Sequence, residues 1–191
     1  MKKKLSTTLI FLGYFLAVAG WFSWRIIQSG NFINWRFWWP VIYWLIGGGV
    51  GYWLLTLDRL VDIYLVNPQT QLAHYIRYYI RKGKWRWALK TLKQRRHEQL
   101  QLTFRSVLFQ VVWVGVALFT LTSTSSLLGK GVVMGLGFHL LLDEWEDYLS
   151  EPDFLRRWLF WQVKREVTYR EQKIYLWVMV GLMAGFTLIL M

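Results

Sequence analysis

Two ionisable residues, His139 and Asp143, lie four positions apart where an apolar stretch ends in a run of acids. Residues at this spacing share one face of a helix, so the imidazole and the carboxylate are neighbours. Asp58 and Asp62 repeat the spacing just after another apolar stretch. An imidazole with several carboxylates suits a divalent cation such as Mg²⁺, Mn²⁺ or Zn²⁺, which could activate water for hydrolysis. In that interpretation His139 and Asp143 are metal ligands, and Asp58 and Asp62 are further ligands or a catalytic base.

Charge pairing is the competing interpretation of the same residues. The chain has 23 Lys and Arg residues against 11 Asp and Glu, a formal net charge of +12. A carboxylate in such surroundings can form a salt bridge without any metal, and basic residues that could serve as partners are Arg59, Arg95, Arg96 and Arg156. The two interpretations differ in whether the carboxylates converge on the imidazole or each contacts an arginine.

Composition indicates that these residues belong to a membrane protein. Of the 191 residues, 55% are hydrophobic and 19% aromatic, and there is no cysteine, which excludes disulfides and thiol chemistry. A helix needs about 20 apolar residues to cross a bilayer. We therefore predict an all-α, multi-pass membrane protein with four or five transmembrane helices and additional amphipathic interfacial helices. It forms a single domain over 1–191, with spans near 5–28, 37–57, 105–128, 131–149 and 174–191.

Basic residues predict the orientation, because cytoplasmic loops hold the excess of Lys and Arg. With five crossings and a cytoplasmic N-terminus, only Arg25, Arg36 and Lys130 lie on the opposite side. The expected location is the plasma or inner membrane. Two points stay open: whether 131–149 crosses fully, and whether the first helix, which resembles a signal sequence, is cleaved.

Two strongly basic segments, 58–104 and 150–173, are predicted to lie at the cytoplasmic interface. In the first, apolar residues recur at helical spacing after Asn67 and Pro68, which indicates one or two interfacial helices over 69–97. In the second, Ser150 is a predicted helix cap. Anionic lipid is the expected partner, and nucleic acid is disfavoured because topology already requires these charges. The predicted headgroup-binding residues are Arg77, Arg81, Lys82, Lys84, Arg86, Lys90, Arg95 and Arg96.

Glycines recur four apart at three places, a spacing that allows helix backbones to approach closely in lipid. The pairs are Gly47 with Gly51, Gly131 with Gly135, and Gly181 with Gly185. They indicate packing within the chain or a homo-oligomer, and the sequence does not separate these alternatives.

One order of segments resembles a known family over roughly residues 55–150. An Asp-rich stretch follows a membrane helix, Arg-Arg-His-Glu leads into 103–109, and a glycine-rich stretch over 135–143 ends in His139 and Asp143. This order is similar to that of the membrane-bound metal-dependent hydrolases, the YdjM-like proteins. The resemblance implies a metal held by His139 and Asp143. The chain departs from the family pattern at Arg105, which stands where a second histidine precedes Ser106, and in its long basic insertion after Asp62.

Common nucleotide and hydrolase motifs are missing from the sequence, including GxxxxGK[ST], GxGxxG, HExxH and GxSxG. The favoured role is a structural or anionic-lipid-associated membrane protein. The alternative is a membrane-embedded metal-dependent hydrolase acting on a phosphorylated or lipid substrate, so enzymatic activity stays undecided.

Overall fold

The computed structural model describes residues 2–30 and 35–191, without the side chains of 2–6, 35, 37 and 93. Helices account for 82% of the chain, and the described residues contain no strand, which confirms the all-α prediction. The described residues form eight α-helices. They are α1 (Lys2–Gln28), α2 (Trp39–Val61), α3 (Gln71–Arg81), α4 (Trp85–Gln94), α5 (Val107–Ser123), α6 (Leu127–Ser150), α7 (Pro152–Leu159) and α8 (Tyr169–Leu190).

Three of these helices are long and apolar enough to cross a membrane. They are α1 from Thr7, α2 together with a π-helical turn that extends it to Val66, and α8. This is fewer than the four or five spans predicted. Helix α5 is apolar but has only 17 residues, since the chain leaves the helix after Ser123. Helix α6 has 24 residues, but acids occupy its last two turns. The membrane character is therefore shown for three helices.

The closest helix contact joins α2 and α6, which run parallel. A Cβ atom on Gly47 would lie 2.3 Å from the Leu128 carbonyl oxygen, and one on Gly51 would lie 2.3 Å from the Val132 carbonyl oxygen. Gly131 and Gly135 face α2 equally closely, at 2.6 Å and 2.5 Å from its backbone oxygens. These two glycine pairs serve packing within the chain.

The third glycine pair, Gly181 and Gly185, differs. A Cβ atom at either position would meet nothing within 4 Å among the described residues. Among the described residues this pair on α8 makes no close helix contact, and the homo-oligomer alternative stays a prediction.

Aromatic side chains join the other long helices, α1, α5 and α8, to the α2–α6 contact. The Phe15 ring of α1 stacks on Trp44 of α2, with ring centroids 4.8 Å apart, and fits against Gly48. From α5, the indole of Trp113 lies over Gly137 of α6 and donates to the Val133 carbonyl at 3.1 Å. Trp113 also contacts Phe186 of α8. Five long helices therefore surround one apolar core.

The predicted interfacial segment 69–97 forms two helices, α3 and α4. Gly83 separates them in a left-handed conformation with φ of 68°, which glycine adopts without strain. Helix α3 is capped by the Thr70 hydroxyl, later than the Asn67 and Pro68 signal suggested, because the π-helical turn of α2 extends to Val66. The apolar faces of α3 and α4 pack against each other and Ile63, in a small core of Ile63, Leu72, Ala73, Ile76, Ala88 and Leu92.

Helix α7 starts at Pro152, and the predicted cap, Ser150, instead ends α6. Four apolar residues of α7 bury themselves against α8 and its neighbours, namely Phe154, Leu155, Trp158 and Leu159. Helix α8 begins before the predicted residue 174, because Thr168 and Glu171 form a capping box there.

Candidate functional site

The ionisable residues predicted from the sequence gather at one end of the bundle, which we call the basic end. It comprises the last turns of α2 and α6, the α3–α4 hairpin, the segment 95–106 and α7. The stretch 99–106 is irregular until the Ser106 hydroxyl accepts the Phe109 N–H at 3.3 Å and starts α5. Because an irregular segment lacks internal helix bonds, its polar groups bond to neighbouring helices instead.

The two predicted catalytic acids of α2 bind this irregular segment. The Asp58 carboxylate accepts the backbone N–H of Phe104 at 3.0 Å. The Asp62 carboxylate accepts the Gln99 side-chain amide at 2.8 Å and the Asn67 amide at 2.8 Å. Both acids are buried. Their observed partners are hydrogen-bond donors, so they hold the 99–104 segment against the end of α2.

Asp143, a predicted metal ligand, forms a buried ion pair with Arg105 at 2.5 Å. The two side chains are 7% and 15% exposed, for Arg105 and Asp143 respectively. The Arg105 guanidinium also lies over the Trp158 ring, 5.5 Å from its centroid. Arg105 thus supplies a positive charge to Asp143.

His139, the other predicted ligand, lies against α2. Its Nδ1 is 2.9 Å from the Tyr52 carbonyl oxygen, and its ring stacks on the Tyr52 ring with centroids 3.9 Å apart. Because a carbonyl oxygen only accepts, Nδ1 carries the proton of this hydrogen bond. The other nitrogen, Nε2, faces Asp143 at 3.8 Å. The expected proximity of His139 and Asp143 is therefore present.

The predicted metal ligands contact other protein groups in this arrangement. Among the described residues, no group of three or more His, Asp and Glu side chains is placed to hold an ion. Asp143 contacts Arg105, while Asp58 and Asp62 contact amide donors. A cation bound here would have to displace the guanidinium of Arg105 and would meet its positive charge.

Asp147 in the last turn of α6 and Glu151 directly after that helix are also paired. Arg96 contacts Asp147 at 2.5 Å and Glu151 at 3.2 Å, and the Trp158 indole donates to Asp147 at 3.0 Å. Burial lowers the pKa of Arg96, but the two carboxylates more than offset this effect and raise that pKa above its ordinary value. Arg96 was predicted to bind headgroups, yet the structure places it between protein carboxylates.

A buried polar contact that the sequence analysis missed joins α5, α6 and α8. The Gln110 side-chain amide donates to Glu144 at 2.5 Å, and the Tyr175 hydroxyl donates to the Gln110 carbonyl oxygen. Glu144 and Gln110 are 0% and 1% exposed. The signal was present in the sequence, since Gln110 is the one strongly polar side chain in the apolar run of α5, and an amide there needs a partner.

The predicted headgroup-binding residues divide into two groups. Arg77 donates to the Ile63 carbonyl at 2.9 Å, Arg95 contacts Glu98 at 3.6 Å, and Arg96 is paired as described. The others are exposed on the hairpin, and no ion pair among the described residues involves them. This second group, which we call the hairpin cations, consists of Arg81, Lys82, Lys84, Arg86 and Lys90.

Comparison with known proteins adds no relative to this description. No family model, curated protein or solved structure matches the chain.

Proposed function

We propose that this chain is a five-span membrane protein whose basic end lies in the cytoplasm and binds anionic lipid headgroups through the hairpin cations. The observation that carries the proposal is the exposure of five basic side chains beside exposed tryptophans on the α3–α4 hairpin. Among the described residues, no acid forms an ion pair with these five side chains. The proposed activity is recruitment of lipid and not turnover of a substrate.

The parallel contact of α2 and α6 supports five crossings. Gly47 meets Gly131 and Gly51 meets Gly135 through backbone contact along both helices. A helix held this closely beside a spanning helix shares its depth. With 24 residues α6 is about 36 Å long, of which the 16 residues before Asp143 span about 24 Å, so it crosses the roughly 30 Å hydrocarbon layer only with its acidic turns at an interface. Helix α5 runs antiparallel to α6 through Trp113 and so completes the return crossing.

The acids of α6 agree with this arrangement. All lie in its last two turns, from Asp143 to Asp147, at the level of Asp58 on α2. Charged groups at the edge of a bilayer, paired with arginine or amide groups, cost much less than charges at its centre. If α6 crosses the membrane, its acids therefore lie at the interface between hydrocarbon and water.

The distribution of basic residues supports a cytoplasmic basic end. Five crossings place the N-terminal lysines, the 58–105 segment and the 150–173 segment on one side, although the side chains of 2–6 lie outside the described residues. The opposite side then holds only Arg25, Arg36 and Lys130. Such an imbalance is typical of cytoplasmic loops in plasma or bacterial inner membranes.

The hairpin has the chemistry that an anionic leaflet favours. Arg86, Lys90 and Trp87 share the outward side of α4, and the Lys90 ammonium lies 5.2 Å from the Trp87 ring centroid. Trp85 and Trp87 are 56% and 54% exposed. Amphipathic aromatic side chains suit the headgroup region, and each nearby Lys or Arg contributes about 1 kcal/mol of attraction to anionic lipid.

A charge-removal variant tests the proposal. We would substitute Lys84→Gln, Arg86→Gln and Lys90→Gln together and extract the protein with its surrounding lipid in copolymer nanodiscs. Phosphatidylglycerol should be enriched over the bulk membrane around the wild-type protein, and this enrichment should fall towards the bulk ratio in the triple variant.

The matched control keeps the charges and changes the side chains: Lys84→Arg, Arg86→Lys and Lys90→Arg. Because the attraction is mainly electrostatic, this control should retain the enrichment. An unchanged lipid ratio in the triple Gln variant, with the protein still folded, would refute the proposal.

A further inference from the structure

A second basic region, distinct from the hairpin, forms a groove between α7 and the segment that leads into α8. Its volume is about 310 Å³, and its walls include Arg156, Arg157, Arg165, Phe160, Trp161 and Val163. One acid, Glu166, also lines the groove, so three arginines there face a single carboxylate of the wall. We propose that this groove binds the phosphate headgroup of a single anionic phospholipid, as a discrete site separate from the diffuse attraction of the hairpin.

Two of the three arginines are already held in position by the protein. Arg156 donates to Asp153 at 2.7 Å and to the Val167 carbonyl at 3.3 Å, and its guanidinium lies over the Tyr169 ring. Arg165 donates to Glu171 at 2.6 Å through one terminal nitrogen. These contacts fix the direction of both side chains. The remaining N–H groups of Arg165 can still donate to a ligand.

Arg157 supplies the charge that the protein does not use. It is exposed on α7, and no ion pair or hydrogen bond among the described residues involves its side chain. A guanidinium binds phosphate through two parallel hydrogen bonds, a geometry that ammonium groups do not match. Arg157 and Arg165 in one groove therefore provide a phosphate site.

The location of the groove distinguishes a lipid from a soluble phosphate. Its residues directly precede α8, a helix long and apolar enough to span the membrane. Thr168 and Glu171 cap α8, so the chain enters the helix immediately after the groove. The groove thus lies at headgroup depth, where the exposed ring of Trp161 suits the interface and where Phe160 and Val163 offer an apolar wall to the glycerol and upper acyl chain.

Native mass spectrometry of the detergent-purified full chain tests this site, with dioleoyl phosphatidylglycerol as the probe and dioleoyl phosphatidylcholine as the neutral comparison. The wild-type protein should retain one tightly bound phosphatidylglycerol and not the neutral lipid. Arg157→Gln should weaken that binding about fivefold, the factor expected for one lost basic contact. Arg157→Lys should weaken it less, since the charge stays and only the paired hydrogen-bond geometry is lost.

Arg25→Gln in the last turn of α1 is the matched control, because it removes an exposed arginine that belongs to neither the groove nor the hairpin cations. It should leave the single tight adduct unchanged. Equal weakening by Arg25→Gln and Arg157→Gln, or equal retention of the neutral lipid, would overturn the discrete site while leaving the hairpin proposal to its own test. Full displacement of the adduct by glycerol 3-phosphate would show a soluble phosphate site and would also overturn the assignment to a lipid.

Discussion

Substitution of Gly51 by alanine should destabilise the protein through the α2–α6 contact. The added Cβ atom would lie 2.3 Å from the Val132 carbonyl oxygen, 2.7 Å from the Leu136 nitrogen and 3.0 Å from a backbone atom of Gly135. All three atoms belong to backbone, so no side chain can rotate away. The helices must separate locally, and overpacking of this kind costs about 1–3 kcal/mol.

Gly49 provides the matched control for this experiment. It lies two residues away on the same helix, and a Cβ atom there would meet nothing within 4 Å. Gly49→Ala should therefore leave the free energy of unfolding unchanged or raise it slightly, because alanine favours the helix. Unfolding of both variants in detergent micelles, followed by heat or denaturant, gives the comparison. Equal stability of Gly51→Ala and Gly49→Ala would show that the helices do not touch as described.

Three other predictions follow from the topology and the buried pair. The chain has no cysteine, so Gln94→Cys and Ser125→Cys each introduce a unique thiol. In inverted vesicles, whose cytoplasmic face is outside, a membrane-impermeant maleimide should label only Gln94→Cys. Labelling of only Ser125→Cys would contradict the cytoplasmic location of the basic end. Arg105→Met should cost roughly 3 kcal/mol because it removes the arginine charge paired with the Asp143 carboxylate, and adding Asp143→Leu should restore most of that stability in thermal unfolding, because an apolar pair then replaces the buried ions. Elemental mass spectrometry of protein supplied with divalent ions should give the same metal content for the wild type and His139→Ala, since Arg105 provides the countercharge of Asp143. Stoichiometric metal that is present in the wild type and lost in that variant would support the hydrolase alternative.

The positions of the long helices and the proximity of His139 to Asp143 could be predicted from sequence, because both depend on the spacing of residues along the chain. Apolar runs near 20 residues indicated the long helices, and the i, i+4 relation placed His139 beside Asp143. The glycine spacing indicated close packing, but its partner could not be predicted. Nothing in the sequence of α8 distinguishes Gly181 and Gly185 from the two pairs through which α2 and α6 meet, since all three pairs have the same spacing.

The partners of the acids could not be predicted because they depend on the path of an irregular segment. Arg105 precedes α5 by two residues, and only the three-dimensional path of 99–106 carries it to Asp143. The same path places Phe104 on Asp58. Sequence spacing gave candidate carboxylates for a metal, whereas the tertiary structure supplies arginine and amide groups to those carboxylates.

That path also shows how the α3–α4 hairpin is inserted between α2 and α5. Asp58 and Phe104 are 46 residues apart, yet the carboxylate of one accepts the backbone N–H of the other at 3.0 Å. The chain therefore returns to its starting point, and a short loop would connect α2 to α5 equally well. The inserted hairpin has a small core of its own and directs its unpaired cations outward. The hairpin lies at the end of α2, and an anionic leaflet there is the partner that we propose for its exposed charges.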